Sequence, residues 1–104
     1  MVKVIWTEPA LKDLRDLVEY IARDSAVYAE RFGIHVVHAP RRLEHAPLIG
    51  RMVPEFADQT IRELIYGSYR IIYKVKEQAC FVVAIIHGSR VILEHLKPSE
   101  WEVE

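Results

Sequence analysis

The residues of this sequence that could do chemistry are cations placed within predicted β-strands of its C-terminal half. Alternation along Tyr69–Val75 puts Arg70 and Lys74 on one face of a strand. The next strand ends in His87, and Arg90 follows shortly after, so an imidazole and a third cation are expected at the rim of the same sheet. Such a group is either a solvated outer face or a binding site whose histidine exchanges protons near neutral pH.

Three strands are predicted to carry this group, because the hydrophobic pattern changes there from a helical period to alternation. They span Ile61–Tyr66, Tyr69–Lys76 and Cys80–His87. The links between them have the length of hairpin turns, so neighbouring strands should be antiparallel. A further strand over Met1–Trp6 is expected to join the edge of the same sheet.

Two helices are predicted between the first strand and the other three. Thr7 and Ser25 are suited to cap their N-termini, and Pro40 should kink or divide the second helix near residues 38–39. The residues expected to face the core are Leu11, Leu14, Val18 and Ile21 in the first helix and Ala29, Phe32, Val36 and Leu43 in the second. The sequence therefore predicts an α+β fold of order β-α-α-β-β-β, with two N-terminal helices packed on a mostly antiparallel four-stranded sheet.

Length and composition favour one small soluble domain. Of the 104 residues 51% are hydrophobic, which is enough for one core, and the single cysteine, Cys80, excludes a disulfide framework. No apolar run is long enough to span a membrane and no signal peptide is recognisable, so a cytoplasmic location is expected. We assign residues 1–98 to one domain and residues 99–104 to an acidic C-terminal tail.

Charge is nearly balanced overall but unevenly distributed. The formal net charge is −1, while residues 61–97 carry six basic and three acidic side chains and the tail carries Glu100, Glu102 and Glu104. General coating of nucleic acid is therefore excluded as a function, whereas a local basic face is not. No cofactor or metal is expected, because the sequence has no phosphate-binding glycine loop and no complete set of metal ligands around His35 and His38.

Several short motifs occur together along nearly the whole chain. They are the turn Gly50-Arg51-Met52-Val53-Pro54-Glu55, the strand Ile61-Arg62-Glu63-Leu64, the hairpin Gly67-Ser68-Tyr69-Arg70-Ile71-Ile72-Tyr73 and the terminal Ile86-His87-Gly88-Ser89-Arg90. In this combination the sequence resembles the RelE/ParE superfamily of toxins from type II toxin-antitoxin operons, which includes plasmid stabilisation systems. Any one of these motifs alone would be a weak signal.

The resemblance implies one of two mechanisms. A RelE-like protein is a ribosome-dependent mRNA endonuclease. Such an enzyme must remove a 2′-hydroxyl proton, protonate the leaving oxygen and stabilise a phosphorane. Its catalytic residues in this sequence would be Arg70, Arg90, Lys74 and His87. A ParE-like protein instead binds a topoisomerase such as DNA gyrase, and its cations recognise rather than catalyse. The sequence is closer to the ParE branch, because no tyrosine follows Arg90 and the strand before the hairpin is not rich in lysine.

The resemblance also implies a cognate antitoxin whose C-terminal segment wraps the toxin in a hetero-oligomer. Helices on one face of the sheet would leave the other face partly open for such a partner. The residues expected to contact the target or the antitoxin are Arg62, Arg70, Ile72, Lys74, Arg90, Ile92 and Leu93.

Two further expectations follow from this interpretation. Arg70→Ala and Arg90→Ala should abolish toxicity and leave the fold intact, because exposed arginines contribute little to stability. A third functional class, a non-toxic binding module of the same fold, is suggested by the proline break in the second helix.

Overall fold

The computed structural model describes residues 1–89. In chain order they form β1 (Lys3–Trp6), α1 (Glu8–Ala22), α2 (Ala26–His38), a 3₁₀ helix (Ala39–Glu44), β2 (Arg51–Met52), β3 (Ile61–Tyr66), β4 (Tyr69–Lys76) and β5 (Ala79–His87). The strands form one sheet of order β1-β5-β4-β3-β2, in which only the β1–β5 pair is parallel within the described part of the chain. The predicted α+β fold is confirmed. The sheet has five strands rather than four, because Arg51–Met52 pairs with β3.

Both helices begin where their caps were predicted. The Thr7 hydroxyl oxygen accepts from the backbone N–H of Ala10, and Ser25 caps α2 in the same way. Pro40 stands at the start of the 3₁₀ helix, where its missing N–H costs no helical hydrogen bond. The chain thus divides after His38 into two helical segments, as predicted.

A β-bulge in β5 separates the sheet into two regions of side-chain alternation. Ile72 pairs with Ala84 and Tyr73 pairs with Val82, so Val83 is an extra residue in β5. Before the bulge Val82 faces the helices, whereas after it Ile85 does so. Without the extra residue, Ile85 would lie on the opposite face of the sheet.

Each face of the sheet has its own core. The core on the helix side is formed by Ala10, Ile21, Ala29, Phe32, Val36, Leu43, Leu64, Ile71, Tyr73, Cys80, Val82 and Ile85. The core on the far side is formed by Val53, Ile61, Ile72, Phe81, Val83, Ala84 and Ile86. Val53, together with Phe56, which packs against this core, belongs to the connection between β2 and β3, so this connection packs over the far face.

The far face is therefore not the open apolar surface that the sequence suggested. Ile72, predicted as a partner contact, is completely buried in the far-side core. No helix within residues 1–89 combines the length and the apolar character required to cross a bilayer.

Candidate functional site

The central cation of the predicted site, Arg70, lies on the far face of β4 between two carboxylates. Its side chain is only 9% exposed. The guanidinium donates two hydrogen bonds to the carboxylate of Glu55, at 3.0 and 2.9 Å, and its Nε donates to Glu63. Arg70 thus binds the carboxylate of Glu55 in the bidentate geometry that arginine prefers.

A second arginine completes the group of charges. Arg51 of β2 donates from Nε to the other oxygen of Glu63, whose side chain has no exposed surface. The resulting cluster of Arg51, Glu55, Glu63 and Arg70, which we call the ionic network, has two positive and two negative charges. Its formal charge is zero, and it joins β2, β3, β4 and the connection after β2.

The network shifts the ionisation of two of its members. Hydrogen bonding from Arg70 lowers the pKa of Glu55 below its ordinary value of 4.5. The hydrogen bond to Glu55 in turn raises the pKa of Arg70 above that of a free arginine. Both groups are therefore held in their charged forms.

A second set of contacts fixes the chain just before β2. The Tyr73 hydroxyl donates to the carbonyl of Pro47 at 2.8 Å and accepts from the N–H of Gly50 at 3.0 Å. A Cβ atom at position 50 would lie 2.5 Å from the Glu63 carbonyl oxygen and 2.7 Å from the Tyr73 hydroxyl. Glycine is therefore required there by the close approach of two backbones.

Arg62, predicted to recognise a partner, contributes to this same anchoring. Its guanidinium donates to the carbonyls of Gln59, Leu48 and Gly50. Because successive side chains of β3 alternate, Arg62 lies on the opposite face of the sheet from Glu63 and the ionic network. The structure thus separates Arg62 from Arg70.

Lys74 does lie on the same face of β4 as Arg70, as the alternation predicted. It is partly exposed and makes no hydrogen bond or ion pair with a residue of the described chain. Their positions are four residue steps apart, which corresponds to roughly 13 Å along a strand. Lys74 is therefore a cation at a distance from the neutralised Arg70. Hydrogen bonding from Thr60 lowers the pKa of Asp58, and the charge of Lys74 helps to lower it.

His87 lies on the helix side of the sheet, away from Arg70 and Lys74. It pairs with Tyr69 across the strands, and the two rings meet edge to face at 5.3 Å. Its Nδ1 is 2.7 Å from the Ser89 hydroxyl oxygen. His87 ends β5, but it faces the helices and not the side of Arg70 and Lys74, because the extra residue Val83 reverses the alternation before position 87.

The expectation that Arg70 is solvent-exposed was wrong. Two acidic residues that were not predicted as site residues, Glu55 and Glu63, surround it. The signal available in the sequence was their presence in two of the motifs that carry the resemblance, Glu55 in the turn that begins at Gly50 and Glu63 in the strand Ile61-Arg62-Glu63-Leu64. Arg90, Ile92, Leu93 and the acidic tail 99–104 lie outside the described residues.

The helical pair on a mostly antiparallel sheet, tied by the ionic network, defines a small α+β domain. A family model described as the ParE toxin of the type II toxin-antitoxin system parDE matches residues 4–92. The chain belongs to this family of toxins. The resemblance to the RelE/ParE superfamily inferred from the motifs is thereby confirmed.

Similar proteins carry names from both branches of the superfamily. Toxin RelE2 of Caulobacter vibrioides is 34% identical over 92 residues, which are 88% of this chain and 100% of the relative. A chain of the chromosomal ParDE TA system from P. aeruginosa aligns with a TM-score of 0.70 at 19% identity, over 84% of this chain and 96% of that one. A chain of the toxin-antitoxin complex RelBE2 from Mycobacterium tuberculosis has a TM-score of 0.52 at 16% identity, over 83% and 96%. At these identities the two structures show the shared fold.

Proposed function

We propose that this toxin acts in the ParE manner, by binding a topoisomerase such as DNA gyrase, and that a cognate antitoxin neutralises it. The observation that carries the proposal is the neutralisation of Arg70 by Glu55 and Glu63. A guanidinium that stabilises a phosphorane must face the developing negative charge with donors free. Here three of the donors of Arg70 are already bonded to carboxylates.

The positions of the other candidate catalysts support the same choice. A phosphodiester cleavage needs a base, an acid and a charge-stabilising group around one phosphate. Lys74 is on the far face of the sheet and His87 on the helix face, so the sheet itself stands between them. Lys74, which forms no ion pair within the described residues, is better suited to recognising an acidic protein surface than to acting with a base.

The antitoxin is inferred from the neighbouring structures, which come from toxin-antitoxin systems of similar fold. A toxin that acts on gyrase and is inhibited by an antitoxin would work in the cytoplasm. The domain over residues 1–98 would then form a hetero-oligomer with the antitoxin.

The test is a DNA supercoiling assay with purified gyrase and the purified toxin. We expect loss of supercoiling and accumulation of cleaved DNA, and we expect both effects to disappear when antitoxin is added in excess. Unchanged supercoiling at every toxin concentration would refute the proposal. Toeprinting on translating ribosomes serves as the matched experiment for the RelE-like alternative, since cleavage in the A site would establish an endonuclease instead. Absence of growth arrest on expression without antitoxin would favour the non-toxic binding module.

A further inference from the structure

The 3₁₀ helix exposes two arginines that take no part in the ionic network. A 3₁₀ helix has three residues per turn, so every third side chain lies on the same row. The row of Pro40 and Leu43 is buried against the core. The other two rows present Arg41 and Arg42 to solvent. Within residues 1–89 neither guanidinium forms a hydrogen bond or an ion pair.

The chain that follows this helix exposes two large apolar side chains. Leu48 and Ile49 are 57% and 53% exposed. We call the surface formed by residues 39–50 the 39–50 surface. Its sequence contains one carboxylate, Glu44, against two arginines. The 39–50 surface therefore combines apolar area with an excess of positive charge.

Hydrogen bonds hold the backbone of the 39–50 surface in a fixed conformation. The N–H of Ala46 donates to the carbonyl of Arg42, and the N–H of Ile49 donates to the carbonyl of Ala46. The Arg62 guanidinium donates to the carbonyl of Leu48. Side chains presented by a fixed backbone need little ordering when a partner binds, so less free energy is lost on association.

Arg62 adds a third positive charge to this part of the molecule. It binds backbone carbonyls, and within the described residues no carboxylate neutralises it. Burial raises the pKa of Tyr73, and the charges of Arg62 and Arg42 oppose this rise, so both guanidiniums lie near one hydroxyl. Arg62 thus joins Arg41 and Arg42 in a cationic group beside the two exposed apolar side chains.

We infer that the 39–50 surface contacts a folded protein whose acidic side chains border an apolar patch, and that this protein is the target of the toxin. Arginine is enriched in protein interfaces, where charged rims surround apolar centres. Nucleic acid would match the cations but leave Leu48 and Ile49 without a partner, and the net charge of −1 disfavours a polyanion. The inference rests on the proposed function in taking the target to be gyrase, and it adds which part of the toxin meets that target.

The test is surface plasmon resonance with immobilised full-length toxin and purified gyrase. A double reversal, Arg41→Glu with Arg42→Glu, should weaken gyrase binding by about tenfold or more, mainly through slower association, because attraction becomes repulsion. The matched control is Arg15→Glu with Arg31→Glu. These arginines are also exposed and helical but lie outside the 39–50 surface, so this variant should bind gyrase as the wild type does.

The apolar part of the surface has its own matched pair. Ile49→Ala should weaken gyrase binding by about fivefold, whereas Ile34→Ala on α2 should leave it unchanged, although the two side chains are 53% and 52% exposed. All these variants should unfold at nearly the wild-type urea midpoint, because exposed positions contribute within about 0.5 kcal/mol to stability. Binding of the antitoxin in the same format should be unchanged.

The possible outcomes all decide the inference. Equal gyrase binding by the wild type and the Arg41/Arg42 variant would overturn it, as would equal weakening in the control or loss of antitoxin binding instead. A larger effect on binding of duplex DNA than on binding of gyrase would also overturn it.

Growth arrest separates this inference from the proposed function. If the wild type does not bind gyrase, the proposed function fails, and arrest on expression then decides the inference. A folded Arg41/Arg42 variant that has lost growth arrest would support it, and one that still arrests growth would overturn it. A wild type that neither binds gyrase nor arrests growth would overturn both.

Discussion

Arg70→Ala should destabilise the toxin by about 3 kcal/mol, although the sequence alone suggested a neutral change. Removing one partner of a buried ion pair costs about 3–5 kcal/mol, because the other charge is left without compensation. The lower end applies here, since Glu63 keeps its bond from Arg51 and the side chain of Glu55 is 32% exposed and can be hydrated. A loss of this size is a large part of the stability of a small domain.

Urea unfolding followed by circular dichroism measures this loss. For a domain of this size, about 3 kcal/mol lowers the urea midpoint by roughly 1–3 M. Lys74→Ala is the matched control, because it removes a cation from the same face of the same strand and should change stability by less than about 0.5 kcal/mol. Arg70→Lys should fall between them, since lysine keeps the charge but cannot bind Glu55 in the two-pronged geometry. If Arg70→Ala and Lys74→Ala unfold at the same urea concentration, the ionic network does not stabilise the fold and the reasoning is refuted.

Three other variants test the surrounding structure. Asp13→Asn should keep or slightly raise the unfolding midpoint, because burial raises the pKa of Asp13 and the amide oxygen can still accept from the N–H of Ile85. Asp13→Ala should instead cost about 1–3 kcal/mol. Equal unfolding midpoints for these two variants would contradict the prediction. Gly50→Ala should lower stability by about 1–3 kcal/mol, because its Cβ would overlap the backbone carbonyl of Glu63. An unchanged melting temperature in thermal unfolding would contradict this prediction. The pKa of Glu55 is lowered in the folded state, so its contribution is full above pH 4.5 and declines as pH falls further. Stability measured against pH should therefore fall less steeply below pH 4.5 in Glu55→Gln, and parallel curves would argue against the assignment.

The helices and the long strands could be predicted because their signals are local. Thr7 and Ser25 are capping residues next to an apolar periodicity, and Pro40 interrupts a helix wherever it occurs. Strand β2 was missed, since two residues are too few to show alternation. The overall fold was thus accessible from the sequence, apart from this short edge strand.

The site was harder to predict, because its geometry depends on contacts between distant residues. Alternation placed Arg70 on the correct face of β4 but could not show that the connection carrying Glu55 covers this face. The position of His87 depends on one extra residue, Val83, which leaves no mark in an apolar run. A pattern of strand residues therefore indicates which face a side chain occupies only as far as the next bulge.

The ionic network has a consequence for genetic work on this toxin. A screen for cells that survive its expression collects every substitution that removes activity, including those that lower the amount of folded protein. Changes at Arg70, Glu63 and Gly50 would be frequent among the survivors, because each position is constrained by buried contacts that stabilise the fold. Survivors that still accumulate as folded protein are the informative ones, and the positions that they identify would outline the surface that meets the target.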